Sequence, residues 1–396
     1  MTSDSSLTGN WNYPTAIRFG PGRIRELPDI CHDLGIVRPL LVTDPGLAEQ
    51  DMTEQALKSC FDAGLPCGLF TEVQGNPIEA NVTAGVQGYI ESHHDGIIAF
   101  GGGSALDTAK AIALMVGQDR PIWDFEDRED WWRRVNEDRM ARVIAVPTTA
   151  GTGSEVGRAS VITDTRDQTK KIIFHPKMLP VMVIADPELT LGLPAGITAA
   201  TGFDALSHNL EAFCSPTYHP LAQGIALEGL KLIRHWLPVA YGDGSNVEAR
   251  AHMLAASMMG ATAFQKGLGA MHSLSHPCSA IAGTHHGLTN AVVMPYVLHF
   301  NRPAIEDKLA ALARYLDLPY PSFDAVLDWL LNLRAELGIP HTLAELGISE
   351  DQAERFAGMA AVDPSSATNP VPLTVSNLKA LYLDALHGHL NHTQTA

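Results

Sequence analysis

At 396 residues the chain exceeds the size at which one core usually stops growing, so two domains are expected, and its 45% hydrophobic content describes an ordinary globular protein. A formal net charge of −17 argues against nucleic acid and anionic membrane as partners, because both demand a basic surface. No apolar run reaches membrane-spanning length, MTSDSSLTGNWNY has neither the basic start nor the apolar stretch of a secretion signal, and Cys31, Cys60, Cys67, Cys214 and Cys278 show no paired spacing, so a cytoplasmic protein is expected.

The first half alternates strands and helices. PLLVTD (39–44) is followed by a helix around 47–63, a strand near 68–73, a helix near 79–93, the strand GIIAF (96–100) and a helix from 105. Such alternation predicts an open parallel sheet covered by helices. A charged, tryptophan-bearing segment (123–139) reads as an exposed excursion, after which VIAVPTT (143–149), SVIT (160–163) and MVIAD (182–186) add strands. Beyond Pro194 the pattern becomes amphipathic stretches of helical period without a convincing strand. The expected division is an α/β domain over 1–190 and an all-helical domain over 191–396.

Within the α/β half, Gly101, Gly102, Gly103 and Ser104 lie between a strand and a helix. Glycines there let the backbone approach a pyrophosphate, and the free amides at the helix start attract its charge. No GxGxxG opens the first strand. Asp44 ends that strand, where a carboxylate accepts hydrogen bonds from ribose hydroxyls and repels a 2′-phosphate, favouring NAD over NADP; the alternative is a plain cap of the turn DPG.

In the helical half, Asp204 and His208 are four apart in TGFDALSHNLEAF and so project from one helix face, beside an apolar stripe of Phe203, Leu206, Leu210 and Phe213 and next to Glu211. His272 and His276 repeat the spacing, and His286 opens the next segment. Three imidazoles and a carboxylate, Asp204, His208, His272 and His286, suit a borderline divalent cation such as Fe²⁺ or Zn²⁺ and leave a coordination position open for substrate. With ligands in one half and the glycine run in the other, the site is expected in a cleft between domains.

Five segments in order, GGGSALDTAK (101–110), VPTTAGTGSE (146–155), 186–213, GLGAMHSLSHP (267–277) and HHGLTNAVVMP (285–295), resemble the iron-containing, group III alcohol dehydrogenases over nearly the whole chain. The resemblance implies a dehydroquinate synthase-like fold, with an NAD-binding domain followed by a helical catalytic domain. It also implies hydride transfer between nicotinamide and a short-chain alcohol or aldehyde. It assigns the metal to Asp204, His208, His272 and His286 and places His276 beside it, as a proton relay or as a partner that only orients ligands. On the cofactor side it implies Asp107 with the glycine run, then Thr148, Thr149 and Ser154 in their tight loop, and Lys171 or its neighbour Lys170 near the ribose.

For the substrate, many family members carry Asn where this chain has Gln265, followed here by Lys266, and Arg158 falls where the family's chain passes near the substrate. Two cations would suit a substrate carboxylate, as in the 4-hydroxybutyrate dehydrogenase branch, unless both merely pair with the abundant acids. The competing readings are a metal-independent maleylacetate reductase, a lyase of the dehydroquinate synthase type, and a non-catalytic binding or assembly protein built on the same scaffold. The family also implies a homodimer or larger homo-oligomer.

Overall fold

The computed structural model describes residues 9–11 and 15–390, so most of the N-terminal segment read for a secretion signal lies outside the described residues. The chain divides into two compact units: Met1–Thr149 with Gly153–Gly192, and Ala150–Thr152 with Leu193–Ala396.

The first unit carries strands β1 (Gly9–Trp11), β2 (Ile17–Phe19), β3 (Pro39–Val42), β4 (Gly68–Phe70), β5 (Gly96–Gly101), β6 (Arg142–Pro147), β7 (Ala159–Asp164), β8 (Thr169–Phe174) and β9 (Met182–Ala185). Helices α1 (Leu27–Asp33), α2 (Pro45–Ala48), α3 (Asp51–Asp62), α4 (Glu79–Glu91) and α5 (Gly103–Met115) are interleaved with them. Seven strands form one sheet in the order β1-β2-β9-β6-β5-β3-β4, parallel except for the antiparallel β1–β2 pair. Every residue of β3 and β5 is buried, as expected when both faces of a parallel sheet are covered. Ile98 and Phe100 of β5 and Ile144 and Val146 of β6, two apart on their strands, share one face and pack in a core with Leu27 of α1 and Ala56 of α3.

Two sequence expectations need correction here. SVIT does not join the parallel sheet; it lies in β7, which pairs antiparallel with β8 as a separate two-stranded sheet. The 123–139 excursion is a run of short 3₁₀ turns that is exposed along much of its length, yet it is anchored by the fully buried Phe125.

The second unit is helical throughout its described residues: α6 (Ala195–Cys214), α7 (Pro220–Gly242), α8 (Val247–Ala263), α9 (Ala270–Ala282), α10 (His286–Tyr315), α11 (Phe323–Glu336), α12 (Ala353–Ala361) and α13 (Val375–His387). From Gly202 onward every residue of α6 is buried, so it is a core helix rather than an amphipathic surface one. Small residues let its neighbours close in: a Cβ on Gly202 would strike Leu237 of α7, and Cβ atoms on Gly229 or Gly260 would strike the Asn209 side chain. A buried polar cluster therefore sits on a rigid element. No described helix is long and apolar enough to cross a membrane. A parallel sheet with helices, followed by a helical region, is the architecture expected from the sequence.

Candidate metal and cofactor sites

One turn of α6 presents Asp204 and His208 on the same face, α9 brings His272 against them, and α10 begins with His286. Ligand-type atoms of Asp204, His208 and His272 lie within 4.8 Å of one another, and Nε2 of His286 is 3.5 Å from Oδ1 of Asp204. The His208 and His272 rings stack with centroids 4.7 Å apart. Asn290, one turn into α10, donates from Nδ2 to Oδ1 of Asp204 at 3.0 Å and to the Ser207 hydroxyl at 3.3 Å.

Two atoms decide whether a cation fits. Nδ1 of His208 and Nε2 of His272 are buried without any hydrogen-bond partner. An orphaned buried polar atom costs about 1–3 kcal/mol, so two beside a buried carboxylate call for something to satisfy them. A divalent ion held by the Asp204, His208 and His272 group would give such nitrogens a partner, and an N₃O donor set completed by His286 would suit Fe²⁺ or Zn²⁺. Burial, reinforced by the neighbouring His272, pushes the His208 imidazole down to about 4, so it is neutral at physiological pH, the form that ligates.

Each remaining imidazole is held by its other nitrogen. Nδ1 of His272 is 2.6 Å from Oε2 of Glu211, and Nδ1 of His286 is 3.0 Å from the Ser275 hydroxyl. His276 stacks on His286 at 5.2 Å while its Nδ1 lies 2.7 Å from Oδ2 of Asp363. Burial alone would raise the Asp363 carboxyl, but the His276 charge and the Ser365 amide outweigh it and hold it at about 2. Sequence reading named Glu211 without a role and missed Ser275, Asn290 and Asp363. The contact of His276 with Asp363 spans 87 residues, a separation that leaves no local signal.

Close approach of α10 to α6 depends on Gly287, where an added Cβ would sit 2.3 Å from the Ala200 carbonyl oxygen and 2.9 Å from Cβ of Asp204. Gly287→Ala is therefore expected to lower stability by about 1–3 kcal/mol and to displace His286, reducing bound metal. Denaturant unfolding and metal analysis check this, and wild-type values in both would show that the helices part without cost.

In the first unit, β5 ends at Gly101 with φ of 144°, a backbone conformation that favours glycine, and α5 starts directly after Gly102. A Cβ on Gly102 would come within 3.3 Å of the Thr149 side chain, and the Thr148 amide donates to the Gly101 carbonyl at 3.0 Å. The Gly101–Gly103 run, Ser104, Thr148 and Thr149 thus converge on one helix N-terminus. Asp44 caps α2, accepting from the Leu47 amide at 3.0 Å through Oδ1 and leaving Oδ2 without a partner among the described residues. Both readings of Asp44 are thereby accommodated.

Other predicted residues are occupied elsewhere. Asp107 accepts from the Ser154 hydroxyl and, at 2.9 Å, from the Val161 amide, so this pair builds the loop. Lys171 pairs with Asp164 at 2.5 Å and Asp167 at 3.1 Å, and Lys170 precedes it on β8, opposite Thr163 of β7. Lys266 requires a correction. Its ammonium is buried and donates to the carbonyls of Ala212, Phe213 and Ser215 at the end of α6, so its three N–H groups are spent on a helix C-terminus. Burial, with Lys308 nearby, lowers it to about 8. Arg158 is exposed, with its guanidinium 5.7 Å from the Phe174 ring centre.

Residues 14–187 match the iron-containing alcohol dehydrogenase family and residues 198–386 match the C-terminal region of the Fe-containing alcohol dehydrogenase family. The chain belongs to the iron-containing alcohol dehydrogenases. It is 40% identical to a 4-hydroxybutyrate dehydrogenase of Cupriavidus necator over 93% of this chain and 97% of the relative. An NAD-dependent methanol dehydrogenase of Bacillus methanolicus is 34% identical over 95% of this chain and 100% of the relative. Among solved structures, a 1,3-propanediol oxidoreductase shares 32% identity with a TM-score of 0.88, covering 93% of this chain and 97% of that one. A sulfoacetaldehyde reductase of Bifidobacterium kashiwanohense in complex with NAD⁺ shares 30% identity with a TM-score of 0.85, covering 96% and 98%. This iron-containing alcohol dehydrogenase is therefore an oxidoreductase, as the motifs led one to expect. Iron agrees with the family's description and NAD with the names of two of these relatives.

Proposed function

We propose that the enzyme interconverts a short-chain ω-hydroxy acid such as 4-hydroxybutyrate and its semialdehyde, using NAD(H) and Fe²⁺. The observation that carries the metal-dependent reading is the pair of unpartnered buried imidazole nitrogens beside Asp204. The substrate class rests on the 40% identity to a 4-hydroxybutyrate dehydrogenase. We assign 1–190 as the NAD-binding domain and 191–396 as the metal-binding catalytic domain.

When bound, the metal supplies Lewis acidity toward the substrate oxygen and NAD accepts or returns the hydride. Asp204, His208, His272 and His286 would hold the ion. His276 is the proton relay of this reading: with Nδ1 held by Asp363, Nε2 is the nitrogen left to take or give a proton. The amides of Gly102, Gly103 and Ser104 at the start of α5 would cradle the cofactor diphosphate, Thr148 and Thr149 would flank it, and Oδ2 of Asp44 would accept from the adenosine ribose. Lys171 would reach the ribose only by giving up an acidic partner, so its role is the subordinate one. We further read the protein as a cytoplasmic homo-oligomer; five free cysteines support the reducing compartment. A maleylacetate reductase reading leaves the orphaned imidazoles unexplained, and a lyase reading departs from the family's chemistry.

With Lys266 withdrawn, Arg158 is the cation proposed for the substrate carboxylate. Succinate semialdehyde should then be reduced with a lower KM than butanal, and Arg158→Ala should cost the acidic substrate about 1.5–3 kcal/mol in kcat/KM while sparing the neutral one. Equal losses would give Arg158 a structural role. A wild-type preference for butanal would overturn the hydroxy-acid assignment and leave a broader alcohol dehydrogenase.

A further inference from the structure

We propose that Glu211 is a positioning residue for the metal centre, fixing the tautomer and ring orientation of His272 and thereby setting metal affinity. Resting on the metal-dependent reading above, it assigns to a residue outside the ligand set a measurable share of the binding.

Glu211 lies on α6 two turns beyond Asp204 and is buried. Its two oxygens grip consecutive residues of α9. Oε1 accepts the Met271 amide at 2.7 Å, and Oε2 meets Nδ1 of His272 at 2.6 Å. One carboxylate thus anchors both the backbone at the start of α9 and the imidazole that follows it, so the ring cannot turn without breaking a short bond. Gly269 is part of the fit: a Cβ there would lie 3.0 Å from Oε1 of Glu211.

The tautomer follows from this contact. An ionised carboxylate only accepts, so Nδ1 of His272 must carry the proton. In the neutral ring, the form that ligates a metal, Nε2 is then a lone pair, and it is a buried atom without a hydrogen-bond partner. A proton on Nε2 instead would place an unsatisfied N–H beside Asp204 and His208 and block ligation. The partner also matters electronically, because a carboxylate behind an imidazole raises its basicity as a ligand. His286 has a hydroxyl from Ser275 in the equivalent place, so among these imidazoles the negatively charged support goes to His272. A purely structural role, capping α9, would need only the Met271 contact.

Glu211→Gln separates the two roles, since its amide oxygen still caps the Met271 amide while the charge is lost. The probe is Co²⁺ added to metal-stripped full-length protein, with affinity measured by chelator competition, coordination by the visible d–d spectrum, and folding by thermal unfolding of the metal-free form. Glu211→Gln should keep the wild-type metal-free midpoint, bind Co²⁺ about 10–100-fold more weakly, and show a shifted spectrum. Glu211→Ala should bind more weakly still. Wild-type affinity and spectrum in Glu211→Gln would overturn the proposal while leaving the metal site standing. A wild-type protein that binds no Co²⁺, Fe²⁺ or Zn²⁺ would overturn the metal-dependent reading itself, and this proposal with it.

Discussion

His272→Ala or His286→Ala is expected to abolish turnover and leave the protein with little bound metal. Either change would remove one of the four proposed donors, and loss of His272 would admit water to a position that is buried in the intact cluster. The loss of affinity should exceed the roughly 10–100-fold typical of removing a residue that only supports a ligand. His276→Ala should differ in kind: with its Nδ1 bonded to Asp363 and its ring stacked on His286, it should retain metal and lose rate. Metal analysis beside NADH turnover distinguishes the two classes. Full occupancy in His272→Ala, or metal loss in His276→Ala as complete as in His272→Ala, would mean that ligand and neighbour have been exchanged.

Asp44→Gly is expected to move cofactor preference toward NADPH. The free Oδ2 of Asp44 would face the ribose, and replacing a like charge by a hydrogen removes both repulsion and bulk at the 2′ position. A change of about 1.4 kcal/mol or more, tenfold in the ratio of kcat/KM for NADPH over NADH, is the expected size. Glycine in place of the cap costs α2 only a few tenths of a kcal/mol, so loss of fold does not complicate the comparison. An unchanged ratio would reduce Asp44 to its contact with the Leu47 amide.

The shared, buried face of Asp204 and His208 was legible because helical period puts the two side by side whatever surrounds them, and a flanking apolar stripe marks that face as interior. The glycine run was legible because strand and helix patterns bracket it. What sequence could not supply was partner choice across the chain. Lys266 next to Gln265 looks like a cation near a pocket, yet a long flexible stem lets its ammonium reach the carbonyls ending α6. Asp363 sits in a turn with nothing nearby to tie it to His276. SVIT reads as one more strand of the sheet because β-branched runs do not encode which strand they pair with; its partner is TKKIIF, whose lysines hide a strand. Glu211 was visible as a polar residue bordering the core, but its role depends on the rotamer of His272 and the close approach at Gly269.

The central claim, metal-dependent reduction of an aldehyde by NADH, is tested most directly on metal-stripped enzyme. Portions reconstituted with Fe²⁺, with Zn²⁺ or with neither are assayed with NADH against succinate semialdehyde and a panel of neutral short-chain aldehydes. Turnover should be restored by Fe²⁺ and absent from the metal-free portion. Equal turnover with and without metal would contradict the claim.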